Sequence, residues 1–227
     1  MHPHLLVLGI CQLLLAPNTA PSQKDSVSQP ARERPPARAW IVPAGIAAAA
    51  ALDPELREWS LRGHSRSLDH LSKSVNPLGT ARVLAPAMAL TYMTARLIHN
   101  ESLSGGTINT AAAYVAADLV ESVLKPLIGR ERPHVEGNSR RFRPFTAKGD
   151  WHSLPSAHVA HIASIAEAIA VQTNSTPLSL ISGALVAAVS WDRVYEDQHW
   201  TSDVAVTIAL STAVSAATVR WLESRRR

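Results

Sequence analysis

The feature that most constrains this chain is a succession of Ala-rich apolar segments too long for β-strands. They run from Ala81 to Ile98, Ile108 to Leu127, Val159 to Val171, Leu178 to Val194 and Asp203 to Leu222. None alternates apolar and polar residues at period two, so length and composition both specify helices. A shorter apolar run, Trp40 to Leu52, precedes them. Between it and the first long segment lies "DPELREWSLRGHSRSLDHLSKSVNPLG", with leucines at Leu56, Leu61, Leu68 and Leu71. That pattern describes a surface-lying amphipathic helix, broken near Gly63 and ended by Asn76-Pro77. The expected fold is all-α, an antiparallel helical bundle of about six helices with one substantial core.

Hydrophobic residues make up 46% of the chain but aromatic residues only 5%, so Ala, Leu, Val and Ile do most of the burying and helices can pack closely. Evidence about a membrane points two ways. A mean hydropathy of +0.02 is low for a polytopic membrane protein, and Arg82, Arg96, Asp118, Glu121 and Glu167 interrupt the apolar runs, where charge is expensive in lipid. Most of these residues, however, lie near segment ends, where long side chains reach the interface. The last segment has no charge from Val204 to Val219 and closes on Arg220 and "RRR", as an inside-facing helix end does. Small residues dominate throughout, as at membrane helix contacts. The bundle is therefore expected to be membrane-embedded or membrane-associated.

The N-terminus has its own organisation. "LLVLGICQLLLA", Leu5 to Ala16, is too short to span a bilayer comfortably and suits the core of a signal peptide. Residues 1–20 read as a signal peptide or N-terminal anchor, 21–39 as a flexible linker rich in Pro, Ser and charge, and 40–227 as the helical domain. Export to the cell envelope follows, to membrane or periplasm. Cys11 is the sole cysteine, which excludes an intrachain disulfide and a thiolate metal cluster. The net charge of +4 favours an anionic partner without choosing among nucleic acid, membrane surface and phosphorylated substrate.

Three blocks narrow that choice. "KPLIGRERP", Lys125 to Pro133, places Lys125 at a helix end and Arg130 and Arg132 just beyond a Gly turn. Arg forks suit phosphate, although such a loop alone is equally a solvated basic face. In "SLPSAHVAH", Ser153 to His161, Pro155-Ser156 reads as a helix entry with Ser156 as N-cap. Free N–H groups at Ala157 and His158 then make an anion site, or simply a surface cap. In "SWDRVYEDQHWTSD", Ser190 to Asp203, Asp203 follows His199 by four. On one helix face it can accept a hydrogen bond from one imidazole nitrogen and leave the other free as base or nucleophile. Taken together, two histidines, a carboxylate, Lys, Arg and a helix N-terminus suit phosphoryl transfer through a histidine nucleophile. Nucleic acid is then not the expected partner.

The order K-x6-R-P, P-S-x-H, R-x5-H-x3-D, from Lys125 to Asp203, resembles the type 2 phosphatidic acid phosphatase family, which shares its fold with vanadium haloperoxidases. The resemblance implies a metal-independent phosphatase without cofactor, acting on a phosphorylated lipid or small phosphate ester. By the same resemblance, His199 forms a phosphohistidine, Asp203 orients it and His158 is the general acid. Lys125, Arg132, Ser156, Arg193 and the Ala157 N–H bind phosphate, on the exported face. Two positions depart from the family pattern. Ala157 replaces Gly and serves if its φ is negative, and Asp192 replaces Ser, where it either pairs with Arg193 or repels phosphate. The competing activities are a soluble periplasmic non-specific acid phosphatase and a vanadate-dependent haloperoxidase. A zinc site using His134, His152, His158 or His161 is a further alternative.

Overall fold

The computed structural model describes residues 40–173 and 175–226, so the expected signal peptide or anchor and most of the linker lie outside the described residues. Nine α-helices follow one another there: α1 Ile41–Ala51, α2 Asp53–Arg62, α3 Arg66–Val75, α4 Ala81–Leu97, α5 Glu101–Ile128, α6 Pro133–Glu136, α7 Ala157–Thr173, α8 Thr176–Tyr195 and α9 Thr201–Ser224. Short 3-10 turns at Asn76–Gly79 and Gly149–Trp151 complete the described elements. The only β-type pairing among the described residues is an isolated bridge between Arg130 and Phe142.

The five long apolar segments are α4, α5, α7, α8 and α9; α4 stops one residue short of its run, and α7, α8 and α9 extend theirs by less than a turn at each end, whereas α5 is longer. That helix begins two turns early, at Asn100, whose side chain caps it by accepting the Leu103 N–H at 2.9 Å. It runs through Gly105 and Gly106 because neighbours come in close there: a Cβ at Gly105 would lie 3.0 Å from Arg226 Nη1. Ser65 caps α3 through the Leu68 N–H at 3.3 Å, so the break near Gly63 produces two helices.

Helix α7 is the centre of the bundle, packed against α5, α8 and α9, while α4 packs on α5 and α1 on α9. One apolar cluster, built on Val159, Ile162, Val186, Val189, Val204 and Ile208, lies between α7, α8 and α9. Much of the remaining interior is small or polar, with Tyr114, Tyr195 and Trp200 among its large buried side chains. Helix α5 buries Ser104, Thr107, Asn109, Thr110, Ala113, Tyr114, Ala117 and Glu121. Its outward positions are Ile108, Val115, Leu119 and Val123, all exposed. Leu90, Met93 and Leu97 on α4 and Leu178, Leu180 and Ile181 on α8 are likewise exposed. An apolar exterior around a small, hydrogen-bonded interior is the arrangement a bilayer favours. Among the described residues, α9 is the one helix long and apolar enough to cross a membrane by length and composition, and over half of its apolar stretch is buried inside the bundle.

The long polar insertion between α5 and α7 is an ordered strap over one end of the bundle. Gly129 starts it. Its φ of +60° puts it in the left-handed region, and its N–H caps α5 at Lys125 O, 2.9 Å. A side chain there would meet the Arg143 carbonyl oxygen at 1.9 Å. The Gly129→Ala variant is expected to lose about 1–2 kcal/mol from the backbone conformation alone, with the clash added, and thermal unfolding in detergent should show a lower Tm.

Candidate active site

The strap, the C-terminal ends of α5 and α8 and the N-terminal ends of α7 and α9 meet at one end of the bundle. Their meeting is organised by Arg130, which is buried. Its Nη1 donates to Asp203 Oδ1 at 2.5 Å and Ser202 Oγ at 2.7 Å, and its Nη2 to Asp53 Oδ2 and the Ser139 carbonyl, each at 2.8 Å. Asp53 also accepts the Ser202 N–H at 2.9 Å. The sequence suggests Arg130 and Arg132 as paired cations of one clamp; the structure separates them, because Arg130 already spans two buried carboxylates.

Arg132 remains available to a ligand. It is partly buried and donates to Gln198 Oε1 at 2.6 Å and the Gly149 carbonyl at 3.1 Å, both neutral acceptors. Burial, then the Arg193 charge, holds its pKa below the ordinary guanidinium value. Lys125, in the last turn of α5, pairs with Glu121 Oε2 at 2.8 Å.

Arg193 resolves the question of Asp192. Its Nε donates to Asp192 Oδ2 at 2.7 Å, and its Nη2 makes a still shorter contact with the same oxygen. Asp192 is fully buried and also accepts the Ser72 hydroxyl at 2.7 Å. The carboxylate thus pairs with Arg193 and aims it, and Nη1 has no hydrogen-bond partner among the described residues.

The expected His199–Asp203 contact takes a different form. Helix α9 begins at Thr201, so His199 precedes it and the two residues do not share a helix face. His199 Nδ1 lies 2.5 Å from the Ser153 carbonyl and 4.0 Å from Asp203 Oδ2. That Asp203 oxygen instead accepts the Ser153 hydroxyl at 2.5 Å and the Trp200 N–H at 2.9 Å. Asp203 therefore acts on His199 through Ser153. A carbonyl only accepts, which assigns the proton to Nδ1 and leaves a lone pair on Nε2. Burial, then the Arg132 and Lys125 charges, keeps His199 well below the ordinary imidazole pKa, so the ring stays neutral.

At the start of α7, the Ser156 N–H donates to Thr207 Oγ1 at 2.9 Å. The Ser156 Oγ is buried without a hydrogen-bond partner among the described residues. Ala157 is the first helical residue, so its φ is negative and its N–H has no acceptor within the helix. His158 follows. Burial, then Arg193, His161, Lys125 and Arg132, pushes it down to about 4.

Of the histidines in the zinc alternative, His134 Nδ1 and His152 Nε2 bond the carbonyls of Asp197 and Thr146 at 3.1 and 2.8 Å. Asp118, Glu121 and His161 bring possible ligand atoms within 4.8 Å of one another, but Glu121 pairs with Lys125 and both His161 nitrogens are engaged. An ion-pair network accounts for the group.

The family model for the PAP2 superfamily matches residues 106–227, more than half of the chain. The chain belongs to the PAP2 superfamily. Its fold is similar to the transmembrane PAP2-type phosphatidylglycerolphosphate phosphatase of Bacillus subtilis, at a TM-score of 0.60 and 16% identity over 100% of this chain and 98% of that one. It is also similar to Aquifex aeolicus LpxE, at a TM-score of 0.60 and 18% identity over 74% of this chain and 95% of that one. At these identities the likeness concerns the fold. No curated protein sequence matches the chain. Sequence reasoning missed Ser153, Asp53 and Gln198 as parts of this PAP2 site. The Asp53-Pro54 pair at a helix start was the one legible signal, since Asp there marks a helix entry.

Replacing Arg130 by Ala leaves Asp53 and Asp203 buried without countercharge. The expected loss is about 3–5 kcal/mol, read as a fall in Tm, with Arg130→Lys recovering only part because one ammonium cannot reach both carboxylates.

Proposed function

We propose that this protein is a metal-independent phosphatase that hydrolyses a phosphate monoester or pyrophosphate, most suitably of a lipid, through a phosphohistidine at His199. The observation that carries the reading is the Ser153 carbonyl at His199 Nδ1, which makes Nε2 a nucleophile beside cations and a helix N-terminus. Lys125, Arg132, Arg193, the Ser156 hydroxyl and the Ala157 N–H hold the non-reacting phosphate oxygens. Nε2 attacks phosphorus, the bond to the leaving oxygen breaks, and His158 supplies that oxygen with a proton. Water then attacks the phosphohistidine, His158 takes its proton, and phosphate leaves with His199 restored.

The lipid substrate rests on the apolar exterior of α4, α5 and α8, which supports seating the bundle in a bilayer with the site at its polar end. The Arg-rich end of α9 lies at the opposite end from His199, which supports the exported face for the site. A detergent-free wash tests the attachment: recovery of the protein in the soluble fraction would favour the periplasmic reading instead.

His199→Ala should abolish phosphate release across a panel of lipid and small esters, and the wild type should keep its activity with chelator present. Rapid quenching with a labelled substrate should trap acid-labile label on the wild type and none on the variant. Unchanged release by His199→Ala would sink the proposal. The pH profile has a definite sign. His158 is held near 4 in the empty site, so its proton-donating form is scarce at neutral pH, whereas His199 stays unprotonated into the acid range. On an alkyl phosphate, kcat/KM should therefore rise as pH falls from about 8 to about 5.

A further inference from the structure

His161 lies one helical turn beyond His158, on the central helix α7, and the phosphatase chemistry leaves it without a task. It is nevertheless buried and held at both nitrogens: Nδ1 is 2.9 Å from the Gly79 carbonyl and Nε2 is 2.7 Å from Asp118 Oδ1. Each ring nitrogen thus faces an acceptor. Tyr114 packs on its face, ring centroids 4.7 Å apart. These contacts join α5 and α7 to the 3-10 turn Asn76–Gly79.

That turn touches the proposed acid directly. A Cβ built on Gly79 would lie 2.8 Å from His158 Cβ, 3.0 Å from His158 Cδ2 and 3.0 Å from Val189 Cγ1. The Gly79 backbone is thus a shelf on which the His158 ring rests, and only glycine fits between them. At its other end the turn is tied towards Arg193, since Asn76 Nδ2 lies 3.5 Å from Asp192 Oδ2. The shelf has a loose anchor at Asn76 and a firm one at His161.

We infer that His161, clamped between Asp118 and the Gly79 carbonyl, is a positioning residue that fixes the shelf beneath His158 and so aims the general acid at the leaving oxygen. His161 touches neither phosphate nor leaving group. Its loss should spare phosphate binding and nucleophilic attack and impair the step that needs an aimed proton. The inference rests on the assignment of His158 as general acid.

Leaving-group dependence separates these effects. The nitrophenolate of a nitrophenyl phosphate leaves without protonation, whereas the alkoxide of an alkyl phosphate requires it. His158→Ala should lose about 10²–10⁴-fold in kcat/KM, which reports only the steps through departure of the leaving group, on the alkyl ester and far less on the nitrophenyl ester. His161→Ala should show the same pattern in weaker form, about tenfold or more in kcat/KM on the alkyl ester and under about threefold on the nitrophenyl ester. Gly79→Ala, which pushes the ring from the other side, should share that selectivity. Asp118 is part-exposed, with 42% of its side chain accessible, so Asp118→Asn should fold even where His161→Ala does not, and it should show the selectivity more mildly. Equal losses on the two esters in the His161 and Asp118 variants, with His158→Ala selective, would overturn the role of His161 alone. A His158→Ala variant without selectivity would overturn the general-acid assignment and this inference with it.

Discussion

The double ion pair of Arg130 is the constraint on which the rest of the catalytic end depends. One buried guanidinium joins the start of α2, through Asp53, to the start of α9, through Asp203. It sits at the first residue of the strap beyond Gly129. Position three elements with one cation, and their relative register is set before any ligand arrives. Burying such a charge is costly unless every donor is answered. Here Nε and both terminal nitrogens are answered, by Asp53, Asp203, Ser202 and the Ser139 carbonyl.

From that hub the geometry passes outward in short steps. Asp203 holds Ser153, Ser153 holds His199, and Trp200 packs against the strap with its Nε1 on the Glu131 carbonyl at 2.9 Å. On the far side, Arg57 grips Asp197 with two bonds of 2.7 Å, which steadies the turn that delivers Gln198 and His199. The proposed ligand-binding groups thus sit at helix ends and turns, while rigidity comes from buried pairs behind them. That division suits a site that must be shaped before phosphate arrives.

How much of this could be read from the chain depends on the range of the interaction. The helices were legible because their pattern is local: Ala81, Val159 and Leu178 open runs that only a helix can accommodate. The proposed cradle residues could be named because their spacing matches a known motif order. What escaped was set by tertiary contact. Arg130 and Arg132 look alike in "GRERP", and only Asp53, far earlier in the chain, turns one of them inward. The i, i+4 spacing of His199 and Asp203 suggested a direct bond, but α9 begins after His199 and Ser153 stands between the two. The early start of α5 was hidden by two glycines, which face the Arg226 and Gln172 side chains.

Ser153 contributes two atoms of very different standing. Its hydroxyl can be removed by substitution, whereas its carbonyl belongs to the peptide backbone and survives almost any replacement. The tautomer of His199 is therefore written into the path of the main chain. Sequence drift at position 153 can loosen the tie to Asp203 without erasing the carbonyl that faces His199 Nδ1. A lineage carrying this fold could vary that residue and keep its chemistry, provided the strap continued to pass where it does.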